Sequence, residues 1–280
     1  MDELAKTAEY SSFFAIEGAA FVGKTTLLNH LSKEYSDRVV VIPEAGEYVG
    51  GDKNFPDDPF GNMERAKAAV HFFITIEQRR CLDAIRLHQQ TGLPVIFDRA
   101  TPVSSLFLYS LLAHVEPTKA EFFAELHAYA LACFGVEISL GKIFVPRNLI
   151  YVRVADQETF EKRLSRGTRN VVFSNWDSFV YLNNKYEQLI ENRYRDNNLV
   201  LTSANNKENI TDITRVAVNF VEFVKRPQEM PLDILGAFSI KGDDGNPVDP
   251  PHEADKYDYA VKNANRLMDE VVAVGDSSLT

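Results

Sequence analysis

The sequence is short of several things that would direct it to particular classes. No run approaches the roughly 18 uncharged apolar residues that a membrane-spanning helix needs, so no membrane partner is expected. The opening residues MDELAKTAEY are acidic and polar and lack the basic-then-apolar order of a secretory signal. There are two cysteines, Cys81 and Cys133, each in helix-like apolar text. Two buried thiols in a reducing compartment, the cytoplasm, are expected rather than a disulfide. The six histidines form no ligand spacing with the cysteines, so a structural zinc site is not expected. Basic charge is scarce as well. The net charge is -10, of which residues 227–280 hold -7 (11 acidic against 4 basic), and neither part offers the positive field that duplex nucleic acid requires.

What is present is an alternation of short β-rich runs with long helical segments. Ser12–Glu17, Val39–Ile42, Pro94–Phe97, Leu149–Val152 and Leu199–Thr202 read as strands. Helical patterns cover Thr25–Tyr35, Asn62–Gln90, Val103–Ala113, Thr118–Phe134, Gln157–Arg166, Trp176–Tyr194 and Ile210–Val224, and Gly50–Gly61 reads as a loop. Continuous apolar strands separated by helices predict an α/β fold: a doubly wound, parallel, five-stranded sheet with helices on both faces. Residues 1–226 form the expected α/β domain, and residues 227–280 an acidic C-terminal extension.

The strongest chemical signal is Gly18-Ala19-Ala20-Phe21-Val22-Gly23-Lys24-Thr25, which fits G-x-x-x-x-G-K-[ST] between a strand and a helix. The glycines let backbone N–H groups curl around phosphates, and the following helix adds its positive end. Lys24 supplies a cation for the outer phosphates and Thr25 a hydroxyl for Mg2+; Thr26 belongs to the same cofactor-binding set. Base-specific GTP users carry N-K-x-D after a late strand, and Ser203-Ala204-Asn205-Asn206-Lys207-Glu208 does not match it. ATP with Mg2+ is therefore the expected cofactor pair.

Two carboxylates follow strands, where ligands of open α/β sheets gather. Asp98 can orient Mg2+, and its neighbour Arg99 can meet the acceptor or the moving phosphoryl group. Glu44 can take a proton from an acceptor hydroxyl. Gln157–Asn170 begins after the N-cap Asp156, places Arg163 and Arg166 on one helix face, and carries Arg169 beyond Gly167. Such an arginine cluster suits closure on transferring phosphate. On the expected helix Asn62–Gln90, Phe72, Phe73 and Arg79 wall the expected acceptor pocket. The aromatic faces can stack on a base, and His71 can bond its edge.

The order of these parts resembles the deoxynucleoside kinases and, more distantly, the thymidylate kinases, over about Phe13 to Val224. The text Arg163-Leu164-Ser165-Arg166-Gly167-Thr168-Arg169-Asn170 and the later Tyr181-Leu182-Asn183-Asn184-Lys185-Tyr186-Glu187 look like that group's lid and following helix. The resemblance implies that Lys24 and Thr25 handle ATP-Mg, Glu44 is the base, Asp98 supports Mg2+ and Arg99 faces the acceptor. Arg163, Arg166 and Arg169 would close over the phosphates. It implies a small-molecule acceptor: a nucleoside hydroxyl first, or a monophosphate needing an extra cation from Arg79, Arg80 or Arg99. The sequence departs from the group by Ala45 after Glu44, by His71-Phe72-Phe73 where a base-reading glutamine stands, and by Val171-Val172 after the lid arginines. Pro43–Tyr48 and Asp98–Pro102 also look like segments of nicotinamide riboside kinases and of nucleotide-binding regulatory proteins. A switch protein without an acceptor is the reading from another class.

The extension opposes ATP electrostatically, yet Met230–Ile240 is too apolar for a solvated tail, and Tyr257, Tyr259, Val261 and Leu267 supply a packing face. It is expected to dock on its own domain or on a second copy of the chain. Truncation after Arg226 should therefore lower the melting temperature or change the oligomeric mass while sparing the chemistry. Unchanged melting and mass would instead identify a mobile acidic arm.

Overall fold

The computed structural model describes residues 12–51, 54–165, 173, 175–194, 198–203 and 207–224. Strand β1 (Phe13–Glu17) leads through the glycine-rich loop to α1 (Lys24–Glu34), then β2 (Val40–Ile42), a one-turn α2 (Ala45–Tyr48) and the long α3 (Met63–Thr91). Next come β3 (Val95–Asp98), α4 (Thr101–Val115), a 3-10 turn (Pro117–Lys119), α5 (Ala120–Ser139), β4 (Asn148–Val154), α6 (Gln157–Leu164), α7 (Trp176–Arg193), β5 (Asn198–Ser203) and α8 (Lys207–Phe223). The five strands form one sheet of order β2-β3-β1-β4-β5, parallel at every pairing. This is the expected doubly wound architecture.

Alternation along β1 shows why helices must cover both faces. Phe13 and Phe14 are both fully buried, and successive strand residues point to opposite sides. Phe13 meets His88 of α3 and Phe144, with ring centroids 5.5 and 4.8 Å apart, whereas Phe14 meets Phe220 of α8 at 5.9 Å. Helices α1 and α8 pack together on one face, and α3, α4, α5 and α7 pack among themselves on the other.

Local chemistry sets the element ends. Asn62, Asp156 and Asn175 cap α3, α6 and α7 by accepting from the N–H groups of Arg65, Thr159 and Ser178 at 2.9, 2.7 and 2.7 Å. Gly92 ends α3 in the left-handed conformation, φ 68°. Three differences from the sequence reading have physical reasons. Strand β4 is longer than the apolar core Leu149–Val152, because it is paired on both sides by β1 and β5. Helix α5 begins after the 3-10 turn and runs on to Ser139. Ala45–Tyr48, read as no element, makes one turn that Glu44 opens in extended conformation.

The stretch Pro117–Ser139 is long and apolar enough to cross a membrane by length and composition, with mean hydropathy 1.2. It contains Glu125 and Glu137, however, and Phe123, Leu126, Ala130, Cys133 and Phe134 are buried in the core. Cys81 and Cys133 are buried free thiols. Arg166, Arg169, Val171 and Val172 lie outside the described residues, as does the whole extension 227–280 with its expected docking.

Candidate active site

Strands β2, β3 and β1 are neighbours, so their carboxyl ends lie side by side. Glu44 follows β2, Asp98 closes β3, and Glu17 closes β1 just before the loop.

The loop depends on its glycines at two positions. Gly18 has φ 143°, and a Cβ there would come within 2.2 Å of the Val152 carbonyl oxygen. Gly23 has φ 96° and opens α1 without a side-chain cap, so the first N–H groups of the helix face the loop. Phe21 lies at φ 65° without being glycine, a conformation costing on the order of 1–3 kcal/mol. Two contacts hold it there. Its carbonyl accepts from Arg163 Nη1 at 3.3 Å, and its ring meets Phe160 of α6 edge-on at 6.2 Å. Arg163 Nη2 also donates to Ser203 Oγ at 2.9 Å, so one guanidinium links the loop, α6 and the end of β5.

Lys24 is buried, and its Nζ donates to the carbonyls of Gly18 and Ala19 at 3.0 and 2.7 Å. Burial, followed by repulsion from Arg99, lowers its pKa. The loop thus folds around its own cation, and phosphate oxygens would take the place of those carbonyls. Thr25 and Thr26 are exposed on the first turn of α1.

Asp98 is buried, and its Oδ1 has no hydrogen-bond partner. Burial, then repulsion from Glu44, pushes it up to about 6. Arg99 has φ 60°, its N–H donates to Ile16 O at 3.1 Å, and its Nε stands 3.4 Å from Glu44 Oε2. The fold therefore brings together Lys24, Glu44, Asp98 and Arg99, which are far apart in the chain. Among the described residues no three His, Cys, Asp or Glu side chains cluster as a metal site. The oxygen donors that fit a hard cation are the unpartnered Asp98 Oδ1 and the exposed Thr25 hydroxyl.

The acceptor-side residues divide. Phe72 is buried and Phe73 half-buried. Both meet Phe55 edge-on, at 6.1 and 5.2 Å, and pack with Ala45, Tyr48 and Val49 of the α2 region that Glu44 opens. His71 turns to α5 instead, its Nε2 2.7 Å from the Tyr129 hydroxyl, and burial lowers its pKa to about 4. Arg79 is exposed, whereas Arg80 is wholly buried. Arg80 cannot be the extra cation for an acceptor phosphate, because all five of its N–H donors have acceptors within the protein.

Sequence reasoning missed two groups. Glu17 was absorbed into the first strand, although a carboxylate closing an apolar run just before a phosphate loop is a visible signal. Its carboxylate is fully buried and accepts from the Ala100 N–H at 2.7 Å and the Tyr186 hydroxyl at 2.9 Å. The Glu77–Arg80 pair, three apart on a helix, looks like an ordinary surface pair until the fold buries it.

No protein-family model matches the chain, and no curated protein matches it. Solved structures are similar to it. One is a deoxyadenosine kinase from M. mycoides with the product dCMP and a flexible dCDP bound. It is 16% identical and covers 75% of this chain and 99% of that chain, at a TM-score of 0.47. In this chain the parallel sheet carries the glycine-rich loop directly after its central strand, an α/β P-loop arrangement.

Glu17 has a consequence for pH dependence. Burial pushes its carboxyl from 4.5 up to about 7, against the opposing pull of Arg99 and the Ala100 N–H. The folded chain then keeps a proton that the unfolded chain has released, so Glu17's own contribution to stability falls as pH rises from about 4.5 to about 7 and levels off above. Glu17→Gln should remove that contribution in urea denaturation series, leaving the fall due to Asp98 and the opposing rise due to His71 and His127. A slope equal to wild type contradicts the assignment.

Proposed function

We propose that the chain transfers the terminal phosphoryl group of ATP, with Mg2+, to a hydroxyl of a nucleoside. The observation that carries this reading is the meeting of Glu44, Asp98 and Arg99 beside Lys24 at the carboxyl ends of adjacent strands, with Glu44 and Arg99 3.4 Å apart. A loop that cradles phosphates and a carboxylate across from it, held by a cation, are the parts that in-line transfer requires.

In this mechanism Lys24 leaves the Gly18 and Ala19 carbonyls for phosphate oxygens, and the N–H groups at the start of α1 bind the same anion. Glu44 accepts the proton of the acceptor hydroxyl as the oxygen attacks phosphorus, and ADP leaves with the former bridging oxygen. Arg99 neutralises charge on the transferring group, and Arg163, anchored between Phe21 and Ser203, does so from the α6 side. Asp98 and Thr25 would hold Mg2+, which supplies charge neutralisation to the phosphates when bound.

The acceptor is an uncharged hydroxyl compound rather than a monophosphate, because an acceptor phosphate needs a further cation. Of the three arginines in question, Arg80 has no donor left and Arg99 already faces Glu44, which leaves only the solvent-exposed Arg79 to serve a monophosphate. Phe72 and Phe73 beside α2 fit a flat, apolar base. The extension 227–280 lies outside this chemistry in our reading, as a docking segment of residues distinct from the domain 1–226.

The test is a screen of nucleosides and monophosphates with labelled ATP, read as product formed. Transfer to a nucleoside is expected. Transfer to monophosphates alone would overturn the acceptor assignment, and slow hydrolysis alone would mark a nucleotide-dependent regulator. Lys24→Ala should fold and bring turnover below about a tenth of wild type, since its Nζ contacts no core group. Glu44→Gln should lower kcat by about 100- to 10,000-fold. It should leave ATP binding in place, read by the fluorescence of Trp176, the sole tryptophan, which packs on Phe160 beside Phe21. A Glu44→Gln variant with normal kcat removes Glu44 from the mechanism.

A further inference from the structure

We propose that Arg80 is a positioning residue for the transfer step: from the core, it clamps the two backbone segments that carry Glu44 and the Asp98–Arg99 pair. The inference rests on the transfer reading above. Arg80 and Glu77 are both fully buried on α3. Arg80 Nε donates to the Pro43 carbonyl at 3.0 Å, and its Nη2 donates to the carbonyls of Asp98 and Arg99 at 2.8 and 3.0 Å. Its Nη1 donates to Glu77 Oε2 at 2.5 Å and to the Thr101 hydroxyl at 2.9 Å. Glu77 in turn accepts from the Thr101 hydroxyl at 2.6 Å and from the Thr101 N–H at 3.4 Å. Behind this group lies the Phe97 ring, 5.4 Å from the guanidinium carbon.

The position of the clamp explains its use. The ladder between β2 and β3 pairs Val40 with Val95, Val41 with Ile96 and Ile42 with Phe97, and ends there. The residue after β2 is Pro43, which has no N–H to continue the ladder. Beyond that point the guanidinium bridges the two segments, one residue before Glu44 on one side and at Asp98 and Arg99 on the other. It also holds the carbonyls of both residues at the left-handed turn of Arg99, φ 60°, a conformation that persists only when its surroundings over-determine it.

Stability alone gives little reason for such a group, since a buried ion pair can often be replaced by apolar residues of similar volume without loss. Geometry does give one. A misplacement of about 1 Å in a reacting group costs roughly 100-fold in rate, and Arg80 sets the separation between the base and the groups facing it. Arg80 touches no substrate itself and acts through Glu44, Asp98 and Arg99.

The experiment uses the full chain, labelled ATP and the nucleoside that the wild type phosphorylates best. A lysine reaches fewer acceptors than the guanidinium, so Arg80→Lys should keep a cooperative melt yet lower kcat about 100-fold, with KM for ATP changed by less than about threefold. In a Glu44→Gln background the same substitution should cost under about tenfold, because a residue that acts through Glu44 has less left to misplace. Where Arg80→Lys does not fold, Thr101 decides. Thr101→Val removes the hydroxyl that links Arg80 to Glu77 and should lower kcat, and Thr101→Ser, which keeps it, should restore kcat. A folded Arg80→Lys with wild-type kcat, equal losses in both backgrounds, or equal kcat for Thr101→Val and Thr101→Ser each overturn the proposal while the transfer reading stands. A wild-type chain that transfers no phosphoryl group to any acceptor overturns both.

Discussion

A charge taken out of water must find its counter-charge or a set of hydrogen bonds, and the carboxyl ends of three strands here are organised by that requirement. Glu17, Glu77, Lys24, Asp98 and Arg80 are all buried within this one region, with Arg99 and Glu44 at its mouth. Glu17 has Tyr186 and the Ala100 N–H, and Glu77 has Arg80 and Thr101. Asp98 differs, because one of its oxygens has no protein partner. The groups with complete partners make the frame, and the group without one is where a cation fits.

The same requirement ties the frame to elements distant in sequence. Glu17 reaches α7 through Tyr186, whose ring lies 5.3 Å from that of Tyr151 on β4. Arg80 joins α3 to the ends of β2 and β3. Arg163 joins α6 to the loop and to β5. Each link lies between helices and strands that are themselves buried by apolar packing, so the site inherits its rigidity from the core around Ile16, Ile96, Leu149 and Phe160. The loop is the opposite case. It holds Gly18, Phe21 and Gly23 at positive φ, and its lysine bonds back to its own carbonyls. Those bonds are individually weak and can be exchanged for contacts with an anion.

Much of this was legible in the residues. Buried parallel strands are continuous apolar runs, so SFFAIE, VVVI and PVIF stand out, and the loop pattern between a strand and a helix carries its own geometry. Glu44, Asp98 and Arg99 were legible because they follow strand ends, and strand ends in open α/β sheets converge. The one-turn α2 was not, since four residues are too few for periodicity to register. Neither was the difference between His71 and Phe72, which are adjacent on α3 yet face α5 and α2 respectively.

The sequence by itself determined the alternation of strands and helices, the phosphate loop and the strand-end carboxylates, because each of these is written in local spacing and composition. Only the tertiary structure decided which charges are buried. Arg79 and Arg80 are consecutive arginines on one helix, but a step of one residue turns a side chain by about 100° around the axis. One of them therefore meets solvent and the other the strand ends. Glu17 ends a strand as many surface carboxylates do, and becomes a core group because α7 brings Tyr186 over it. Burial and charge pairing depend on what packs opposite a residue, and that is a property of the fold rather than of the neighbouring letters.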